Sequence, residues 1–387
     1  MKRAHCLPVL IISVMGCRKP YNPPAITASA SYLVVEGAIS SGPDITTIKL
    51  SRTVNLSGTV TANPVLQASV TIESDRNDNY PLFETGNGNY VIGALYLDNT
   101  RTYRLDVKTA DGKQYLSDFE PVLSNPPIDS IGYTVKPNSV VVYVNTHDPG
   151  NIIKYYRWDY TETWQFHAKY PSEYVSDGTK IVGRTSAQDI FSCFGNDTSS
   201  TIVLGSTAKL KQAVIYQNPL AEIAATSEKI ETKYSILVNQ YPLTANAYNF
   251  WINLKKNTEQ LGSIFDAEPS NIAGNIHCVT NPSEPVIGYI SVCTVQSKRI
   301  FISNSQLPSA WLPAYPYTCE LDSAFFCRPA GQGCQNDVAL FLIPPGSTEI
   351  PVEAFGTGLG ALGYLGTSVE CADCTIRGTK TQPAFWK

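Results

Sequence analysis

Cysteine placement constrains this 387-residue chain more than any other feature. Two of its ten cysteines, Cys6 and Cys17, lie at the N-terminus. The other eight, Cys193, Cys278, Cys293, Cys319, Cys327, Cys334, Cys371 and Cys374, fall in the second half. In a reducing cytosol such a set reads as metal ligands or redox groups; in an oxidising compartment it reads as a disulfide framework. Closing with ECADCTIRGTKTQPAFWK, the chain carries one CxxC pair, which fits a zinc site, a redox motif or a staple equally well. The compartment decides between them.

The opening MKRAHCLPVLIISVMGC supplies that decision. Lys2 and Arg3 precede an apolar stretch from Cys6 to Val14, broken only by Pro8 and Ser13, and small Gly16 follows. A basic start, a short apolar core and a small residue at the cut form a secretory signal peptide, expected over residues 1–16. The apolar run is too short to span a bilayer as a helix, which needs ~20 residues. Val14-Met15-Gly16-Cys17 also resembles a bacterial lipobox, with Cys17 as the lipidated first residue of the mature chain. RKPYNPPA behind it reads as part of a tether over residues 17–30. The mature chain is then expected to hang from a membrane by lipid, each buried CH₂ contributing ~0.8 kcal/mol.

Export makes disulfides the expected state of the eight cysteines. Cys371 and Cys374 either bridge each other or, the favoured reading, pair with partners such as Cys319, Cys327 or Cys334 and staple the C-terminal tail to the body. A structural zinc site wants four ligands, commonly two CxxC pairs or one CxxC with a spaced His pair. Here the mature histidines, His147, His167 and His277, are far apart in sequence, so no metal or other cofactor is expected. A formal net charge of −4 without a basic stripe argues against a nucleic-acid partner.

Tyr-, Thr- and Val-rich composition, punctuated by 26 Gly and 26 Pro, favours strands and turns. The fold class expected is all-β. Over 31–123, runs such as SYLVVEGAIS, TTIKLSRTV, ASVTIES and RTYRLDVKT alternate with turn formers such as DRNDN, GNGN and ADGK, as in an immunoglobulin-like β-sandwich. LSNPPID reads as a linker. A larger, disulfide-stapled β-rich domain is expected over 128–387. It contains one helix, 244–261, capped by Thr244 and ended by Gly262, with Tyr248, Trp251, Leu254, Thr258 and Leu261 on one face. The segment from Ser305 onward reads as loop held by disulfides.

YYRWDYTETWQFHAKY alternates strictly. Tyr156, Trp158, Tyr160, Trp164 and Phe166 share one face with Glu162, opposite Arg157, Asp159, Thr161, Thr163 and Gln165. Exposed, Tyr156, Trp158, Tyr160 and Trp164 would form a platform for a sugar or peptide. Buried, they are the wall of a sandwich core, which is the commoner fate of aromatic residues in sheets.

Other motifs carry little. Gly358, Gly360 and Gly363 match G-x-G-x-x-G, but no βαβ unit fits before Lys387. Asp75, Asn77 and Asn79 mimic half a calcium loop, yet Tyr80 stands where glycine is required. No HExxH, GxSxG or Cys-His signature is present, so no catalytic residue is named, although scattered carboxylates leave a glycosidase-like pair open.

The chain resembles the Bacteroidota lipoprotein family called domain of unknown function 4249. The resemblance rests on lipobox-like Cys17, SYLVVEGAIS, YYRWDY, the block TKYSILVNQYPLTANAYNFWINLKKNTEQLGSIFDA, GNIHCVTNPSEPVIGYISVCTVQSKRIFI and the closing CADCTIRGT with PAFW. It implies an outer-membrane lipoprotein, non-enzymatic, acting as an accessory to a TonB-dependent transporter or as a binder of that transporter's ligand. An envelope hydrolase acting on glycan or peptide, or a purely structural envelope component, are the alternatives. Arg18, Lys19 and Pro20 follow Cys17 where an acidic surface-export signal is often found, which leaves surface-exposed and periplasm-facing attachment both open.

Overall fold

The computed structural model describes residues 31–54, 63–259, 274–329, 334–357 and 360–386. The signal peptide, Cys17, the tether and Gly262 lie outside them. The chain is all-β, as its composition predicts, with two sandwich-like bodies, one long helix and a small C-terminal sheet.

The first body is built by strands Leu33–Gly37, Ile39–Ser40, Thr46–Arg52, Ser69–Ser74, Asn79–Gly86, Asn89–Ile92, Thr102–Lys108, Gln114–Ser117 and Glu120–Leu123. Period-two alternation sets their faces: Ile48 and Leu50, Val70 and Ile72, and Tyr103, Leu105 and Val107 point inward to one core. The turns fall where the small and amide residues cluster. Asn77 (φ 65°) and Asn87 (φ 53°) take left-handed conformations that asparagine tolerates. The pseudo-calcium loop is such a turn, closed by Ser74 N–H donating to Asp78 O at 2.9 Å.

The second body pairs two sheets. Ile128–Lys136, Ser139–Asp148 and Ala213–Ala224 form one. The other has the order Ser192–Thr198, Tyr155–His167, Lys233–Leu243, Gln296–Ser303, with Val203–Ser206 beside the first half of Tyr155–His167. Val140, Val142 and Val144 meet Tyr156, Trp158, Tyr160, Trp164 and Phe166 across the core. Glu162, on the same inner face, is held by Lys229 Nζ at 2.5 Å and by the Tyr234 hydroxyl at 2.7 Å. A buried carboxylate survives there because it is both charge-paired and hydrogen-bonded.

Residues 128–387 do not form a separate body. After the helix the chain returns to the first body. Ile276–Cys278 pairs antiparallel with Gln114–Ser117, and Val286–Ile287 pairs parallel with Leu33–Gly37. Val292–Cys293 lies parallel between Ile39–Ser40 and Glu120–Leu123. These three short strands complete a twelve-stranded sheet before Gln296–Ser303 rejoins the second body. Where 33–40 and 286–293 run side by side, the backbones approach closely. A Cβ on Gly288 (φ +149°) would lie 2.3 Å from the Val35 carbonyl oxygen; on the other flank of Leu33–Gly37, one on Gly37 (φ +133°) would lie 2.4 Å from the carbonyl oxygen of Thr47.

The linker is also anchored. Buried Gln240 accepts from Trp158 Nε1 (3.0 Å) and donates through Nε2 to Asn125 Oδ1 (3.0 Å) and Pro126 O (2.9 Å). Gln240→Leu would leave the Trp158 indole N–H and the Asn125 side-chain oxygen buried without partners. We expect a loss of about 3 kcal/mol, read from urea unfolding, since each orphaned group costs ~1–3 kcal/mol. An unchanged urea midpoint would show the network to be dispensable.

The helix spans Ala245–Glu259, and Thr244 caps it, its hydroxyl accepting from Ala247 N–H at 3.2 Å. Its deepest residues are Ala247 and Phe250, with Tyr248, Trp251 and Leu254 partly buried beside Leu243 and Tyr289. The apolar stripe is therefore rotated from the expected face: Thr258 is exposed, and Leu261 lies outside the described residues. The rotation follows from the groove, because the helix packs against Tyr289 of the returning segment as well as against the second body.

The segment after Ser305 carries more regular structure than expected. Asp322–Phe325, Gly360–Ser368 and Glu349–Thr357 form a sheet, and Val338–Leu342 packs on it through Val338 and Leu342. Gly360 and Gly363 belong to a hairpin strand rather than a loop; Gly358 lies outside the described residues. The tail is stapled as predicted, Cys371 by one of the named partners and Cys374 by a cysteine outside them. Cys371 bridges Cys319, Cys374 bridges Cys193, and Cys327 bridges Cys334. Cys278 and Cys293, expected to be bridged, are buried free thiols. The reason is the return crossing: both lie on strands of the first body, away from the other six cysteines. Beyond Cys374, Thr379 exchanges two backbone hydrogen bonds with Phe194, and Trp386 packs edge-on against Phe194 and Phe301.

Candidate functional site

The four aromatic residues that offered a platform are core. Tyr156 and Trp158 are 0% and 1% exposed, and Tyr160 and Trp164 are each 9% exposed. Two facing sheets close over them, so no ligand reaches that face. The opposite face of the same strand is the informative one.

Arg157 and Asp159 point outward from Tyr155–His167 into a cleft of about 580 Å³. Its walls come from three places: the strand Leu33–Gly37 with its partner Val286–Ile287, the strand Lys233–Leu243, and the helix. Strand register sets Tyr241 directly opposite Arg157. The Arg157 guanidinium carbon lies 4.4 Å from the Tyr241 ring centre and 4.5 Å from that of Trp251, on the helix. A cation stacked on aromatic faces gains ~0.5–2 kcal/mol as it is desolvated. Its carboxylate partner is Asp159, Nη2 to Oδ2 at 3.4 Å. Asp159 Oδ1 accepts from Asn239 Nδ2 at 2.9 Å and from the Tyr241 hydroxyl at 3.4 Å. Burial, reinforced by the Asp159 charge, pushes the Tyr241 hydroxyl well above its ordinary value, so it stays a neutral donor.

Ser40 also lines the cleft. It is 3% exposed, and its hydroxyl has no hydrogen-bond partner among the described residues. Its register neighbour is Cys293, whose thiol burial pushes up to about 12, with the Arg157 charge acting in the opposite direction. That thiol stays protonated at neutral pH and behaves as a small apolar group.

Tyr289 connects the cleft to a buried carboxylate. Its hydroxyl donates to Glu120 Oε1 at 2.5 Å, Asn275 Nδ2 donates to the same oxygen at 3.2 Å, and Thr244 Oγ1 lies 3.4 Å from the Tyr289 hydroxyl. Burial raises the Glu120 carboxyl above its ordinary value, against these hydrogen bonds. The folded chain therefore holds this proton to a higher pH than the unfolded chain does. Stability from this group is full below the ordinary carboxylate value and declines as pH rises through the raised folded value. Glu120→Gln is expected to fold and to flatten that decline, measured as the urea midpoint from pH 4 to pH 8. An unchanged slope would remove Glu120 from the account.

Each of the three described histidines lies beside one acid: His147 with Asp129, His167 with Glu231 and His277 with Asp118. Among the described residues no three His, Cys, Asp or Glu side chains converge as metal ligands. Sequence reasoning missed Arg157, Asp159, Tyr241 and Ser40 as a group. The available signal was the outward face of the alternating strand; nothing local indicates that a helix and a returning strand would wall it in.

The family model described as Domain of unknown function (DUF4249) matches residues 18–299. No curated protein matches the sequence. Among solved structures, a segment of two fibronectin type-III domains from chicken tenascin is 10% identical, with 54% of this chain and 90% of that one covered at a TM-score of 0.16. The chicken interferon gamma receptor alpha chain is 9% identical, with 54% and 88% covered at 0.14. Likeness at this level carries no functional argument. The family match spans the first body, the strands bearing Arg157 and Tyr241, the helix and the returning strands, and the chain belongs to the DUF4249 family.

Proposed function

We propose that this protein is a lipid-anchored component of the outer membrane, tethered through Cys17, that works as a non-enzymatic binding module beside a TonB-dependent transporter. The cleft carries the reading. Its walls are largely apolar, and among its polar groups the stacked Arg157 guanidinium, paired with Asp159 through one nitrogen, keeps further donors unspent, while the Ser40 hydroxyl has no partner among the described residues. Sites of a few hundred Å³ with apolar walls and a small number of fixed polar groups suit small-molecule binding. The sequence supports the location, since a lipobox-like Gly16-Cys17 follows a short apolar run.

Pull-down of the lipidated full-length protein from native envelopes in mild detergent tests the reading. Co-purification of a TonB-dependent barrel, with an acylated N-terminal Cys17 by mass spectrometry, is the expected result. An unprocessed Met1, or an envelope monomer that turns over glycan or peptide, would overturn it.

A further inference from the structure

We infer that the cleft takes a small amphipathic monocarboxylate, its apolar stem lying along the helix and its carboxylate meeting Arg157 and Ser40. This inference rests on the binding-module reading above and names its ligand.

Three observations carry it. The first is unspent hydrogen bonding. A guanidinium has five N–H donors in a fixed fork, and Arg157 turns one nitrogen toward Asp159 as an ion pair at 3.4 Å. None of its nitrogens is among the fully buried atoms without partners, and its side chain is 18% exposed while lining the cleft, so the remaining donors open onto the cavity. Ser40 is the converse case: its hydroxyl is fully buried beside the same cavity with no hydrogen-bond partner among the described residues, so a ligand oxygen reaches it by a small shift of the cleft wall. A buried polar group without a partner costs ~1–3 kcal/mol, a cost that a ligand oxygen or ordered water removes.

The second is charge. Two acids line the cleft: Asp159, engaged by Asn239 and Tyr241, and Glu36, which is exposed and paired with Lys49 at 3.6 Å. With each acid set against one base the local balance is close to neutral, which penalises a dianion such as phosphate but accommodates a single negative charge in bidentate contact with the fork. The third is wall chemistry. Phe250, Leu254, Ile287 and Val295 present an apolar surface, while the faces of Tyr241 and Trp251 turned toward Arg157 are already occupied. A sugar needs an open aromatic face to stack on; an alkyl or aryl stem needs only apolar surface.

Titration of the purified, disulfide-intact protein with decanoate, with decanamide as the uncharged match, tests the inference. Tryptophan fluorescence reports from Trp251, and calorimetry gives the affinity. Decanoate is expected to bind at least about tenfold more tightly than decanamide, because only the ionised head uses the full fork. Arg157→Lys, which keeps the charge and loses the fork, is expected to erase most of that preference. Ser40→Ala is expected to weaken decanoate by about three- to tenfold without lowering the unfolding midpoint of the free protein. A decapeptide with a free apolar C-terminus, run against its amidated form, separates a peptide source of the carboxylate from a free acid. Equal affinity for decanoate and decanamide, or no saturable binding of any carboxylate, overturns the inference. Failure here together with recovery of the transporter leaves the binding-module reading standing. Failure of both brings it down.

Discussion

Gly288→Ala is expected to cost this protein at least about 4 kcal/mol, or to prevent folding. Two effects add. At φ +149° a side chain is strained by ~1–3 kcal/mol. In addition the new Cβ would sit 2.3 Å from the Val35 carbonyl oxygen, and a backbone atom in a paired strand has nowhere to go. Gly86→Ala is the control. Gly86 has φ +95° but nothing within 4 Å of its would-be Cβ, so it should show the conformational cost alone, roughly 1–3 kcal/mol. Urea unfolding of the two variants side by side separates strain from clash. Equal midpoints would mean that the close approach of 286–293 to 33–37 is wrong. Because Gly288 lines the cleft, a folded Gly288→Ala protein should also lose ligand binding.

The second large effect belongs to the Cys193–Cys374 bridge, which spans 181 residues. In the chain-entropy model a loop of that length contributes about 5 kcal/mol, and the Cys327–Cys334 loop, with a separation of 7, about half as much. The contexts differ as well. Cys193 and Cys374 are fully buried in the second core, while Cys334 is exposed. Cys193→Ala with Cys374→Ala is therefore expected to lower stability by about 4–5 kcal/mol and to free the tail. The freed tail should show as early proteolysis after Ile376 and loss of the Trp386 contacts with Phe194 and Phe301. Cys327→Ala with Cys334→Ala should leave the second core intact. If both double variants melt alike, the long bridge is not what holds the tail.

Much of the first body was legible along the chain. Runs such as ASVTIES and RTYRLDVKT gave strands within a residue or two of the observed bounds, and DRNDN and GNGN gave turns in which one asparagine each, Asn77 and Asn87, takes positive φ. These features are local: alternation and turn chemistry act over a few residues. The staple at CADC was legible in kind but not in partner. Which thiol lies opposite Cys374 depends on how the tail crosses the sheet edge. The cleft was not legible at all. Arg157 and Asp159 sat on the solvent face of a well-read strand, and Trp251 on a well-read helix, with no local sign that they would meet.

By itself the sequence determined the all-β class, the two alternating faces of the strand Tyr155–His167, the Thr244 cap and the presence of an oxidised, stapled tail. Each of these follows from forces acting between neighbours in the chain. Tertiary structure alone decided that 276–293 leaves the helix to complete the first sheet, that Cys278 and Cys293 stay unpaired, and that Arg157, Ser40 and Tyr241 share one cavity. Parallel pairing across some 250 residues is set by the closing of a whole sheet, and no short stretch of sequence carries that information.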